Sequence, residues 1–155
     1  MKRRSRRSIA SETHETYFLN VDLDVFATSP LEPLAAALGA GVSQLYVGPH
    51  GNRFRAHFEL RTSPRKGADA LIVGLAQLVK RLPAKARRVW NQAYRRDFNI
   101  GIQAGFAPDS YELFLKPETL RLASSVNARI GVTIYAANAR RLGARTDSHA
   151  RGATR

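Results

Sequence analysis

Hydrophobic and polar residues alternate along the first clearly patterned segment of the chain, which begins at Tyr17. Aliphatic side chains occupy one side of the alternation: Leu19, Val21, Leu23 and Val25. Amides and carboxylates occupy the other side: Asn20, Asp22 and Asp24. A period of two residues is typical of a strand with one buried face. The pattern therefore predicts a half-buried first strand.

A helix and a hairpin are predicted next. Leu31, Leu34 and Leu38 share one helical face, and the glycines at 39 and 41 end that helix. Residues 42–47 and 53–62 alternate as strands on either side of the turn sequence 48–52. Two strands joined by a short turn pair antiparallel.

The second half of the chain continues with helical and strand patterns. Leucines at spacings of four, three and four predict a helix over residues 67–82, and Pro83 separates it from a second helix over 84–95. A strand is predicted over 98–105, a helix from Pro117, and a last strand over 129–135. In this last strand the aliphatic residues are expected to point inward: Ile130, Val132 and Ile134.

This order predicts one α+β domain over residues 16–137, related to ferredoxin-like folds by a β-α-β-β-α-β-α-β order. We expect a single, mainly antiparallel sheet of about five strands, with helices packed on one face. The other face would carry the polar side chains. It is either a binding surface or simply the solvated side of a one-sided sheet.

Charge adds a second line of argument. The chain has 25 Lys and Arg residues against 12 Asp and Glu residues, a formal net charge of +13, and 20 of its basic residues are arginines. About half of the excess lies in residues 1–15 and 138–155, which have almost no large apolar groups. These tails are predicted to be disordered. They would attract phosphate-rich polymers, or they reflect the codon bias of a GC-rich genome.

Several classes of protein are disfavoured. The chain has no cysteine, which excludes disulfides and thiolate metal sites. No apolar segment follows the basic N-terminus and no apolar run could cross a bilayer, so we expect a cytoplasmic protein that does not associate with a membrane. The oligomeric state is left open.

Catalytic chemistry is weakly represented. Asp22 and Asp24, with Asn20, could hold a cation only if Glu59 or His57 came from an adjacent strand. A solvated strand face explains the same residues and is the favoured interpretation. His57 has no partners that would make it a general base. The sequence predicts no catalytic residues, no metal site and no cofactor. It leaves enzymatic activity undecided but disfavoured.

Basic side chains are the candidate binding residues. The densest basic run lies between residues 80 and 96, on the helix side opposite Trp90. Two phenylalanines of the 53–62 strand, Phe54 and Phe58, fall on its core side, so the base-stacking aromatics of an RNA-recognition motif are missing. The predicted binding residues are Arg53, Arg55, Arg61, Lys85, Arg88, Arg95 and Arg96.

Three segments together resemble a known family. They are FNIGIQAG at 98–105, LKPETL at 115–120 and ARIGVTIY at 128–135. With the first strand, they resemble a small bacterial family described as a domain of unknown function, over residues 17–137. The resemblance implies a bacterial, soluble, single-domain protein. It implies no activity and carries over no functional residue.

The sequence therefore favours a small non-catalytic binding or regulatory domain that recognises another protein. The contact surface would be the polar sheet face or the basic helix. The alternative is a sequence-nonspecific nucleic-acid binder, in which the basic tails and the helix over 84–96 contact the phosphate backbone of DNA or RNA.

Overall fold

A computed structural model describes residues 15–62 and 66–137. The strands are β1 (Tyr17–Ala27), β2 (Val42–His50), β3 (Arg53–Leu60), β4 (Arg95–Gln103) and β5 (Arg129–Tyr135). The helices are α1 (Glu32–Leu38), α2 (Ala68–Lys80), α3 (Ala84–Gln92) and α4 (Pro117–Ser125), and a 3-10 turn spans Gly39–Gly41. The predicted tails lie outside the described residues, except for Glu15.

The five strands form one sheet in the order β2-β3-β1-β4-β5. Neighbouring strands are antiparallel, except that β4 and β5 are parallel and are joined through α4. The β2–β3 hairpin turns at Gly51 and Asn52, and Gly51 has a φ of +62°. A positive φ at the first turn residue matches the strand twist, which is why glycine suits this position.

The core lies between one sheet face and all four helices. The central strand β1 contributes Val21, Leu23 and Val25, each fully buried. Trp90 of α3 is 1% exposed, and its indole Nε1 donates a 2.9 Å hydrogen bond to the carbonyl oxygen of Val126, just after α4. Trp90 therefore connects two helices through the core and satisfies its only polar atom there.

The α+β class is confirmed, with one mainly antiparallel five-stranded sheet. The helices predicted over 67–82 and 84–95 are present as α2 and α3, so the β-α-β-β-α-β-α-β order, which has one helix between β3 and β4, is one helix short. The predicted basic helix over 84–96 is also too long. Because α3 ends at Gln92, Arg95 and Arg96 belong to β4 and point to opposite faces of the sheet.

Two strands depart from the predicted inward pattern. A bulge between Phe18 and Asn20 turns Phe18 towards the core and leaves Leu19 39% exposed. In β5, Ile130 packs against the core, but Val132 and Ile134 are 58% and 66% exposed. Sequence alternation assigned the face of these two residues correctly, but β5 is an edge strand and its far end has little cover.

No helix within residues 15–62 and 66–137 is long and apolar enough to cross a membrane.

Candidate recognition surface on the open sheet face

The sheet face turned away from the helices, here called the open face, carries aligned polar side chains. Asp24 of β1 lies directly opposite His57 of β3 and opposite Asp97 of β4. Asp22 lies opposite Glu59 in the same way. Residues opposite each other share a face, so the alternation of three strands brings these charges into contact.

Asp24 and Asp97 are neighbouring carboxylates, and they are only 7% and 3% exposed. Two like charges side by side repel each other unless each has a cationic partner. Arg55 Nη2 donates to Asp24 Oδ1 at 2.8 Å. Arg129 binds Asp97 with two guanidinium nitrogens, at 2.8 and 3.1 Å, and Arg95 Nε donates to the same carboxylate. Each aspartate is thus compensated by its own arginines.

Burial alone would raise the pKa of Asp97. Hydrogen bonds and charge from Arg129 and Arg95 outweigh burial, so the pKa of Asp97 lies below its ordinary value. The same carboxylate raises the pKa of Arg129. Asp97 therefore remains ionised at neutral pH, and the ion pairs hold β4 against β5.

His57 lies among carboxylates on this face. Its Nε2 is 3.2 Å from Asp22 Oδ2, although the two atoms do not have the geometry of a hydrogen bond, and its Nδ1 is 3.6 Å from Asp24 Oδ1. Interaction with Asp22 is the main cause that raises the pKa of His57. Burial and Arg55 oppose this rise, and the Asp24 charge adds to it.

One end of the open face carries an arginine–aromatic cluster, which consists of Phe26, His50, Arg53, Arg55, Tyr94 and Arg95. Phe26 lies opposite Arg55 on β3 and Arg95 on β4. The guanidinium carbons of these arginines are 5.5 and 4.7 Å from the centre of the Phe26 ring. These distances are within the range of cation–π attraction.

Tyr94 and His50 extend the arginine–aromatic cluster to its rim. Arg53 lies over the Tyr94 ring at 4.7 Å, and His50 contacts Phe26 edge-on with ring centres 6.1 Å apart. The Tyr94 amide donates to the Phe26 carbonyl at 3.0 Å, which fixes Tyr94 beside β1. Tyr94 is 47% exposed, so its ring remains available for contact.

The structure brings together three of the predicted binding residues: Arg53, Arg55 and Arg95. It separates Arg61, which follows the other end of β3, about 26 Å along an extended strand from Arg53. Lys85 and Arg88 are exposed on α3. With Lys80 and Arg81 they form a second surface, here called the basic helical surface.

Arg96, by contrast, has a structural role. Its Nη1 donates to the carbonyl oxygens of Trp90 and Asn91, at 2.9 and 3.2 Å. These are terminal carbonyls of α3, which an arginine side chain stabilises. Burial lowers the pKa of Arg96. Arg87 makes the same kind of contact with Val79, near the end of α2. The guanidinium groups of Arg87 and Arg96 are therefore occupied by hydrogen bonds to carbonyls near helix ends.

A cation site at Asp22 and Asp24 required Glu59 or His57 to come from an adjacent strand. That requirement is met in part, because β3 does lie beside β1. However, Asp24 is engaged by Arg55, and His57 lies between Asp22 and Asp24. In the part of the chain that the structure describes, no group of three or more His, Asp or Glu residues is arranged to hold a metal ion. The charged side chains of the open face instead form a network of ion pairs.

Sequence reasoning missed Phe26, Tyr94, Asp97 and Arg129 as members of the polar face. For Phe26 a signal was present, since it continues the series Asn20, Asp22, Asp24 on the polar side of β1. A large aromatic residue on the solvated side of a strand can mark an interaction surface.

The pairing of Asp97 with Arg129 depends on strand order, which the sequence does not specify.

No protein-family model, no curated protein and no solved structure matches this chain. The resemblance to a bacterial family of unknown function accordingly stays a prediction.

Proposed function

We propose that this domain recognises another protein, and that it does so with the arginine–aromatic cluster of the open face. The supporting observation is the placement of Phe26 and Tyr94 under the guanidinium groups of Arg53, Arg55 and Arg95. Arginine, tyrosine and phenylalanine are enriched at protein interfaces, and tyrosine and arginine are frequent among the residues that dominate binding energy.

The cluster is ordered before any partner binds. Arg55 is held by Asp24 and Arg95 by Asp97, while both lie against Phe26. Ordering a long side chain costs roughly 0.5–1.5 kcal/mol at an interface. A surface whose arginines are already fixed avoids much of this cost on binding.

The partner we propose presents carboxylates next to apolar side chains. No carboxylate of the described residues forms an ion pair with Arg53, so its guanidinium fork can take a partner's Asp or Glu in a bidentate contact. The exposed part of the Tyr94 ring would meet an aliphatic or aromatic group.

A phosphate backbone fits this cluster less well. Arg55, Arg95 and Arg129 are each already paired with Asp24 or Asp97, so most of the positive charge on the open face is compensated. The ring of Phe26 lies under two guanidinium groups, which hinders stacking of a base on it.

Selection from a displayed random-peptide library against the full chain tests this proposal. We expect enriched peptides to combine Asp or Glu with aliphatic or aromatic residues. Arg53→Ala and Tyr94→Ala should each weaken their binding roughly tenfold, which corresponds to about 1.4 kcal/mol. Arg61→Ala is the matched control and should bind normally. Failure to enrich any peptide, or equal binding by all variants, would overturn the proposal.

A second candidate function rests on the basic helical surface. Lys80, Arg81, Lys85 and Arg88 are exposed, and the chain has no Asp or Glu between Asp69 and Asp97. Such uncompensated charge suits sequence-nonspecific nucleic-acid binding. Binding to duplex DNA should then weaken steeply with salt, and Lys85→Ala with Arg88→Ala should flatten the log–log slope by about two. A slope unchanged by the double substitution would exclude this surface.

A further inference from the structure

The two edges of the sheet differ in how they are protected against pairing with another strand. The β2 edge has a bulge between Gln44 and Tyr46, and it contains Pro49. Bulges, prolines and charges are the usual means of blocking an exposed edge. The register of β5 with β4 runs without a bulge from Arg129 to Tyr135, and β5 has no proline and no charge after Arg129.

The free edge of β5 has backbone groups oriented for pairing. In a parallel ladder, alternate residues direct their N–H and C=O groups to opposite sides. The Tyr135 carbonyl accepts a 2.9 Å hydrogen bond from the Ala104 amide, so Tyr135 faces β4. Ile130, Val132 and Ile134 therefore direct theirs away from β4. Among the described residues, only β4 pairs with β5.

Apolar side chains are exposed along the same strand. Val132 and Ile134 are 58% and 66% exposed on the helix-bearing side of the sheet. Tyr135 is 48% exposed on the open face. An unprotected edge with apolar groups on both faces is a template for strand addition.

We infer that β5 pairs with β5 of a second copy of this chain, antiparallel about a twofold axis at Thr133, which creates a continuous ten-stranded sheet. In this register Val132 lies opposite Ile134 of the partner subunit, so aliphatic groups pair on one face. Gly131 lies opposite Tyr135 of the partner subunit, and an aromatic ring across from a glycine covers its exposed backbone. Arg129 lies opposite Ala137 of the partner subunit, so no like charges meet.

The strand that pairs with the β5 edge is assigned to a second copy of this chain because the edge is complementary to itself. A twofold axis perpendicular to the sheet keeps each residue on its own face, as an isologous dimer requires. The pairing uses the β5 edge and leaves the arginine–aromatic cluster uncovered at β1, β3 and the start of β4. The dimer is therefore independent of the proposed recognition function.

Sedimentation equilibrium of the full chain tests the dimer. We expect a reversible dimer that Ile134→Lys converts to monomer, because the substitution places two cations beside the new strand pair. Leu45→Lys, at a 53% exposed position on the β2 edge, is the matched control and should remain dimeric. A wild-type monomer at all concentrations, or a dimer that Ile134→Lys leaves intact, would overturn the inference.

The register has its own test, because the chain contains no cysteine. Thr133→Cys puts two thiols opposite each other across the axis, with Cβ atoms about 4.5–5.5 Å apart. We expect this variant to form a disulfide-linked dimer on mild oxidation. Leu45→Cys should not. Equal crosslinking of both variants, or none by Thr133→Cys, would rule out the register.

Discussion

Arg95 and Phe26 lie opposite each other on adjacent strands, and the Arg95 guanidinium carbon is 4.7 Å from the centre of the Phe26 ring. Arg55 approaches the same ring from β3 at 5.5 Å. Each cation–π contact contributes about 0.5–1 kcal/mol at a partly exposed site. Phe26→Leu keeps an apolar group but loses both contacts, so it should lower the free energy of unfolding by roughly 1–2 kcal/mol.

Urea unfolding checks this value. Phe114→Leu is the matched control, since Phe114 is 79% exposed, and it should be nearly neutral. Equal stability of the Phe26→Leu variant and the wild type would mean that the arginines do not depend on the ring for their position.

Asp97 should show its importance at neutral pH. Asp97→Asn removes the anion that binds Arg95 and Arg129, and hydrogen bonds to charged groups are worth roughly 1.5–3 kcal/mol. Because the pKa of Asp97 is lowered by folding, its contribution is present above the ordinary Asp value of 3.8 and is lost as pH falls through the folded pKa. The stability difference between variant and wild type should therefore shrink in acid.

Unfolding curves at neutral and acidic pH measure this difference. Glu118→Gln, which disrupts the exposed pair of Glu118 with Arg121, should cost little at either pH. A cost for Asp97→Asn that persists at full size in strong acid would point to lost packing rather than lost charge.

His57 predicts a stability change in the opposite direction. Its pKa is raised above 6.5 in the folded protein, chiefly by Asp22, so folding is favoured when the imidazole is protonated. This contribution is complete below pH 6.5 and is lost as pH rises through the folded pKa. His57→Gln should abolish that dependence, whereas His50→Gln should retain it. Identical pH profiles for wild type and His57→Gln would contradict the assignment.

Trp90 tests the packing of α3. Trp90→Ala should cost roughly 3–5 kcal/mol, as a large-to-small change in the core. Trp90→Phe keeps an aromatic ring but leaves the Val126 carbonyl without its donor, at an expected cost of about 1–3 kcal/mol. Thermal melting of both variants checks that Trp90→Ala lowers the stability more than Trp90→Phe does. A native-like melting curve for Trp90→Ala would mean that α3 presents its other face to the core.

The fold class could be predicted from the sequence because local patterns determine most of it. The alternation over β1 and the leucine spacing in α2 identify those elements and their buried faces. Asn127, which follows α4, has a φ of +58°, and asparagine is one of the residues that tolerate this conformation. The end of α3 was misjudged because the basic residues Arg95 and Arg96 fit a helix face as well as the start of a strand.

The recognition surface depends on which strands become neighbours. Phe26 meets Arg55 and Arg95 only because β1 lies between β3 and β4. The exposure of Val132 and Ile134 likewise depends on the position of β5 at the sheet edge. Periodicity assigns a side chain to a face, but it does not say what covers that face. The sequence therefore identified individual arginines as candidates. Which of them lie together depends on the strand order of the sheet.

Nuclear magnetic resonance titration tests the central claim most directly. The best peptide from the library selection would be added to isotopically labelled full-length protein, and its effect on each backbone amide followed. We predict that the largest chemical-shift changes fall on Phe26, Arg53, Arg55, Tyr94 and Arg95, and that Arg53→Ala strongly reduces them at a peptide concentration near the dissociation constant of the wild type. Changes confined to Lys85, Arg88 and their neighbours on α3 would contradict recognition by the arginine–aromatic cluster.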